Sequence, residues 1–294
     1  MTDQTLALPG HLVDGAWLEA NLEHPALRVV DATVVLDPES WQANSGRGTY
    51  DASHVPGAVF VDLIAELSDP AGDDGLPPGM HAYRLPSPEA FAAAIGRHGI
   101  GPDTTVVAYD TSAGMWAARL WWLLRVFGHD RVAVLDGGWA SWVAEERPVS
   151  DAAVAPRPVT FLPRLRTELL ATKADVERAI GDSDTVLINA LWPELFRGEA
   201  ETPLPRKGRI PGSLNVPFTA TIDDEGRLLP GERVRELFAE AGVRPDQRVI
   251  TYCGGGIAAS SDALALAVAG IDAAVYDGSL VEWVADPAAP LEVG

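Results

Sequence analysis

The sequence predicts an α/β fold built twice over: two domains, each a parallel sheet with helices on both faces. Three observations predict it. Short β-branched runs alternate with helical stretches along the chain, the pattern of βαβ units. Four landmarks recur in the same order. Arg28-Val-Val-Asp31 matches Val186-Leu-Ile-Asn189, and His54-Val-Pro-Gly57 matches Arg209-Ile-Pro-Gly212. Val106-Val-Ala-Tyr-Asp110 matches Val249-Ile-Thr-Tyr-Cys253, and Val134-Leu-Asp-Gly-Gly-Trp139 matches Val275-Tyr-Asp-Gly-Ser-Leu280. Such order marks an internal repeat. Finally, 294 residues, 47% hydrophobic and 22% charged, suffice for two ordinary cores.

Taken in order, Leu12 to Leu22 reads as a short helix and Leu27 to Val35 as a strand region. His54-Val-Pro-Gly57 is a turn, and Ala58 to Val61 a short strand. Residues 69–80, dense in Asp, Gly and Pro, read as an exposed loop. Ser87-Pro-Glu-Ala opens a helix that runs to His98, with Pro at an early helical position. Val106 to Tyr109 is a strand ending in Asp110. The helix after it, Met115 to Phe127, carries Trp116, Trp121 and Trp122, rings that belong in a core or a domain interface. Pro156, Pro158 and Pro163 mark an extended linker that holds the halves at a fixed geometry. The predicted division is therefore a first domain over 1–150, a linker over 151–165 and a second domain over 166–294. In the second, Thr172 caps a helix to Ile180 with Asp175 three residues on. Val186 to Asn189 is a strand. Residues 192–209 form a long loop with Arg197, Arg206, Lys207 and Arg209. Gly231 to Ala241 has helical periodicity, and Ala274 to Tyr276 is the closing strand.

Composition excludes some partners. A net charge of −20 argues against nucleic acid and anionic membrane. No apolar run is long enough to span a bilayer, and the N-terminus lacks a signal-peptide pattern. One cysteine allows no internal disulfide and fits a reducing compartment. The expectation is a cytoplasmic protein.

That cysteine, Cys253, stands where a buried strand, Val249 to Tyr252, meets an Ala- and Leu-rich helix, Ile257 to Ala269. Gly254, Gly255 and Gly256 lie between. Backbone N–H groups of such a turn point into one concavity, and the helix N-terminus adds positive partial charge. Both favour an anion, and for a cysteine the reactive thiolate. A lone cysteine is more often an inert core residue; its place in an anion-cradling loop reverses that reading. A phosphatase-type loop would need an arginine at position 259, which is Ala259. A dinucleotide fingerprint is spelled by Gly254, Gly256 and Ala259 with Asp277 further on, but that fold places it on the first strand. A persulfide-carrying loop is the third possibility.

Cys253-Gly-Gly-Gly-Ile-Ala258 resembles the six-residue active loop of the rhodanese family. Arg209-Ile-Pro-Gly-Ser-Leu-Asn-Val-Pro-Phe218 and Tyr276-Asp-Gly-Ser-Leu-Val-Glu-Trp283 extend the match to the catalytic half of its two-domain thiosulfate and mercaptopyruvate sulfurtransferases. The resemblance covers nearly the whole chain and implies tandem rhodanese-like domains. Asp110 stands at the cysteine position of the first copy, as is usual in the family's inactive domain, where Arg119 and Trp121-Trp122 also match. It implies that the Cys253 thiolate takes a sulfur from a small anionic donor and passes it to a thiophilic acceptor, cyanide or a thiol, in two covalent steps. The amides of Gly254, Gly255, Gly256, Ile257 and Ala258 would hold the persulfide. No metal or organic cofactor is implied, and a thiol-bearing protein is a possible acceptor.

The specificity positions depart from the pattern. Gly254 and Gly255 stand where thiosulfate-type loops carry Arg and Lys, and Gly255 lacks the hydroxyl of mercaptopyruvate-type loops. The family's His and Asp partners of that hydroxyl align with Tyr83 and Ile64. Arg206 matches one substrate-anion arginine. The other falls at Leu195, with Arg197 two positions on as substitute. A sulfurtransferase is the first expectation. A persulfide carrier without turnover is the second, and a nucleotide-binding module the third.

Overall fold

A computed structural model describes residues 6–37, 42–69 and 83–294. The expected loop over 69–80 lies, from residue 70 on, outside the described residues. The first half runs β1 (Leu12–Val13), α1 (Gly15–Asn21), β2 (Leu27–Asp31), β3 (Val34–Leu36), β4 (Ala43–Ser45), α2 (Arg47–Ala52), β5 (Val59–Phe60), α3 (Pro88–Arg97), β6 (Thr105–Tyr109), α4 (Met115–Val126), β7 (Val132–Leu135) and α5 (Gly138–Ala144). The second runs β8 (Leu170–Ala171), α6 (Lys173–Ala179), β9 (Thr185–Asn189), α7 (Pro193–Phe196), β10 (Leu214–Asn215), α8 (Gly231–Glu240), β11 (Arg248–Tyr252), α9 (Ile257–Val268), β12 (Ala273–Tyr276) and α10 (Ser279–Ala285).

Each half holds one five-stranded sheet with all pairs parallel, in the orders β1-β7-β6-β2-β5 and β8-β12-β11-β9-β10. The two orders are the same topology. The repeat extends to single bonds. The hydroxyls of Tyr109 and Tyr252 each accept a backbone N–H, from Val55 and Ile210, at 3.1 Å. The indoles of Trp142 and Trp283 each donate to a proline carbonyl, Pro148 and Pro290, at 2.8 Å.

Strand residues alternate between two cores, as the period of two requires. Val106 and Ala108 of β6 face the core shared with α4; Val107 and Tyr109 face the one shared with α1 and α5. The first of these cores does not stop at the end of a half. It runs from Val30 through Trp116, Trp121 and Trp122 into Cys253, Ile257 and Leu264, because α4 packs along α9.

Local signals account for several helix starts. Ser87 Oγ accepts the Ala90 N–H at 3.1 Å, and Thr172 with Asp175 closes a reciprocal capping box. The expected helix from Leu12 divides instead. Leu12 and Val13 pair with β7, and Asp14 caps a shorter helix by accepting the Trp17 N–H at 2.7 Å. The proline-rich stretch has no regular element and is fastened to the first half, with Val159 N–H on Gly96 O and Arg164 N–H on Phe127 O, both 2.9 Å.

The halves dock reciprocally. Leu85 N–H donates to Asp277 Oδ2 at 2.6 Å, and Leu228 N–H donates to Asp136 Oδ1 at 2.8 Å. Each half thus lays a loop on the Asp-Gly turn that follows the last strand of the other's sheet, β7 or β12.

Candidate active site

β11 delivers Cys253 to the carboxyl edge of the second sheet, where open α/β sheets place their ligands. The thiol is free and 2% exposed. The loop closes at Gly256, whose φ of +85° is left-handed. A Cβ there would also meet Asp277 O at 2.8 Å, so both conformation and space demand glycine. That turn aims the Gly256 N–H at Cys253 Sγ, 3.1 Å away, and α9 starts at the next residue. The loop is tied down from the far side by Leu280 N–H on Cys253 O (3.0 Å) and Val281 N–H on Gly254 O (2.9 Å). Cys253 N–H donates to Ser279 Oγ at 3.2 Å, and that hydroxyl donates to Tyr276 O at 2.8 Å.

The first copy shows what such a loop does to an anion. Asp110 accepts four backbone N–H bonds, from Ser112 (2.6 Å) and Gly114 (3.0 Å) on one oxygen and from Trp116 and Ala117 (both 2.8 Å) on the other. Burial pushes its carboxyl up, and the four amides pull against that. Here the protein's own carboxylate fills the cradle. In the second copy the loop from Cys253 to the helix is one residue shorter, and Cys253 Sγ accepts the Gly256 N–H.

Around Gly256 the first half contributes directly. Arg119, on α4 and 2% exposed, reaches across the interface. Its Nη2 donates to Asp277 Oδ1 at 2.6 Å and to the Tyr83 carbonyl, and its guanidinium lies 4.5 Å from the Trp122 ring. Tyr83 stands edge-on to Trp116 and packs on the core that contains Cys253. Burial, and then the Cys253 charge, push its phenol up to about 12, so the hydroxyl remains a neutral donor. Ile64 is half-buried apolar packing.

The arginines named from the sequence have other partners. Arg206 donates to Asp286 O at 2.7 Å and to Ala289 O, pinning the segment after α10. Arg197 pairs with Glu199 at 2.8 Å, and Lys207 with Glu201 at 2.6 Å. Arg209 lies 4.6 Å from the Phe196 ring and 3.5 Å from Glu292. In a chain of net charge −20 each has an acid or a carbonyl in reach.

A sequence model of the rhodanese-like domain matches residues 14–145 and 172–286. The chain belongs to the rhodanese family. It is 33% identical to human 3-mercaptopyruvate sulfurtransferase, over 92% of this chain and 91% of that one. It is 34% identical to thiosulfate/3-mercaptopyruvate sulfurtransferase 1 of Arabidopsis thaliana, over 94% of this chain and 76% of that one. The crystal structure of SseA from Escherichia coli superposes with a TM-score of 0.80 at 31% identity, covering 92% of this chain and 98% of that one. The rhodanese-like domain thus occurs twice in this chain, and the Cys253 loop lies in the second match.

Proposed function

We propose that the Cys253 thiolate takes the thiol sulfur of 3-mercaptopyruvate, or the outer sulfur of thiosulfate, and passes it as sulfane sulfur to a thiophilic acceptor. The chain is a rhodanese-type sulfurtransferase, and the observation that carries this mechanism is the Gly256 N–H aimed at Cys253 Sγ at 3.1 Å. With 3-mercaptopyruvate, the thiolate attacks sulfur, the carbon–sulfur bond breaks, and pyruvate leaves after its carbon takes up a proton. The persulfide remains on Cys253. Its anion extends into the amides of Gly254 to Ala258 and the N-terminus of α9, dipoles fixed before the reaction starts. Cyanide or a thiol then attacks the outer sulfur, the sulfur–sulfur bond breaks, and the thiolate returns.

Between the donors we favour 3-mercaptopyruvate. Thiosulfate is a dianion and calls for cations beside the loop, where Gly254 and Gly255 stand. Arg206 and Arg197 would serve either donor only by leaving their present partners. The acceptor is a small thiol or a thiol-bearing protein. The working compartment is the cytoplasm, where a free thiolate survives. Among the described residues no helix is long and apolar enough to cross a membrane.

The test is thiocyanate formation from each donor with cyanide, beside a Cys253→Ser sample. We expect turnover with 3-mercaptopyruvate to exceed that with thiosulfate. The serine variant should lose at least about a thousandfold, as expected when a nucleophile is removed. Turnover that survives in the variant refutes the mechanism. One persulfide per chain without turnover favours a carrier instead.

A further inference from the structure

The loop around Cys253 carries no cation of its own, and the loop arginines 197 and 206 have other partners. Yet a buried guanidinium stands directly behind it. Arg119 Nη1 is 3.3 Å from the place a Gly256 Cβ would occupy and, among the described residues, makes no hydrogen bond. The Asp277 carbonyl and Oδ1 flank the same point at 2.8 and 3.5 Å. So an acid and a base from opposite halves meet at the glycine whose N–H faces the sulfur. Both are shielded from solvent, where charges act more strongly than at the surface.

We propose that Arg119, on the half without a nucleophile, is a positioning residue for the Cys253 thiolate and persulfide. It holds the Asp277 turn against Gly256 and offsets the Asp277 carboxylate behind the cradle. Without it, Asp277 would place an uncompensated negative charge next to a site that must hold another. The assignment rests on Cys253 as the nucleophile and gives the first half a part in the chemistry. Among the described residues, the ionisable groups on the segments packed against the loop include Tyr83 and Arg84 beside Leu85, Arg119 on α4, Asp262 on α9, Tyr276 on β12, Asp277 on the turn and Glu282 on α10. Of these, Arg119 and Asp277 abut Gly256; the others stay the same across the variants below.

Cys253 is the chain's one cysteine, so alkylation by iodoacetamide reports on it alone. The rate is followed against pH by mass spectrometry in the wild type, Arg119→Met, Asp277→Asn and the double variant. We expect the midpoint to rise by about one pH unit in R119M, the scale of one nearby charge. It should fall in D277N and return close to wild type in the double variant. A purely structural salt bridge would lower stability in both single variants and leave the midpoint in place. An unmoved midpoint, or movement in the same direction in both, overturns the proposal. If R119M does not fold, D277N decides, since only a downward shift agrees. The measurement needs no turnover, so it stands apart from the thiocyanate test of Cys253 itself.

Discussion

Asp262 sits on α9 with no exposure, and neither carboxylate oxygen has a hydrogen-bond partner among the described residues. Burial without compensation pushes its carboxyl well above the ordinary range. A raised acid binds its proton more tightly in the folded state than in the unfolded one. Stability is therefore fully present below the unfolded value and falls as pH rises toward the folded one. Asp262→Asn removes the titration. Relative to that variant, wild-type stability should drop by up to about 1.4 kcal/mol per pH unit from about pH 4 upward. Urea unfolding of both proteins at pH 4, 6 and 8 checks this; a difference that does not change with pH would mean that Asp262 finds a partner or a water.

At the scale of elements, the two cradles are variants of one strand–loop–helix unit, and the first is filled by its own side chain. Asp110→Ala would leave four oriented N–H groups without their acceptor. Bonds to a charged group contribute about 1.5–3 kcal/mol each, and water can recover part of that, so the net loss should be about 3 kcal/mol. The urea midpoint would show it, while turnover per folded molecule stays the same. A large loss of turnover would mean that the first loop shapes the second. This unit was also what the sequence made legible. Tyr109 and Tyr252, and Asp136 and Asp277, recur because each has a fixed bond to supply, and the glycine-rich turn after Cys253 stood out because its left-handed close at Gly256 needs glycine. The destinations of the arginines were not legible. A guanidinium on a long flexible stem takes whichever acceptor the fold brings near, and for Arg206 that is the carbonyl pair at Asp286 and Ala289, 80 residues or more away along the chain. Arg119 was matched to the family pattern, but its reach to Asp277 depends on how the halves dock. The strand at Leu12 was hidden because its two residues carry too little pattern to outweigh the helix that follows.

For the whole molecule, the question is whether the halves are separable. Trp121 and Trp122 of α4 pack near Ala263 and Ala267 of α9, and Leu264 belongs to the same continuous core. Trp122 also donates across the interface to Leu169 O at 3.0 Å. Exposing these three large side chains alone would cost about 2 kcal/mol each, roughly 6 kcal/mol together. That matches the entire stability of an ordinary domain, about 5–15 kcal/mol. A half that lost its neighbour would thus lose much of what keeps it folded. The expected outcome is one calorimetric transition, with equal calorimetric and van't Hoff enthalpies. Two resolved transitions would mean that each core stands alone and that the bonds from Leu85 to Asp277 and from Leu228 to Asp136 merely orient the halves. One transition would mean that loosening the interface anywhere also loosens Arg119 against the loop. Stability of the half without a nucleophile would then set the lifetime of the catalytic geometry in the other.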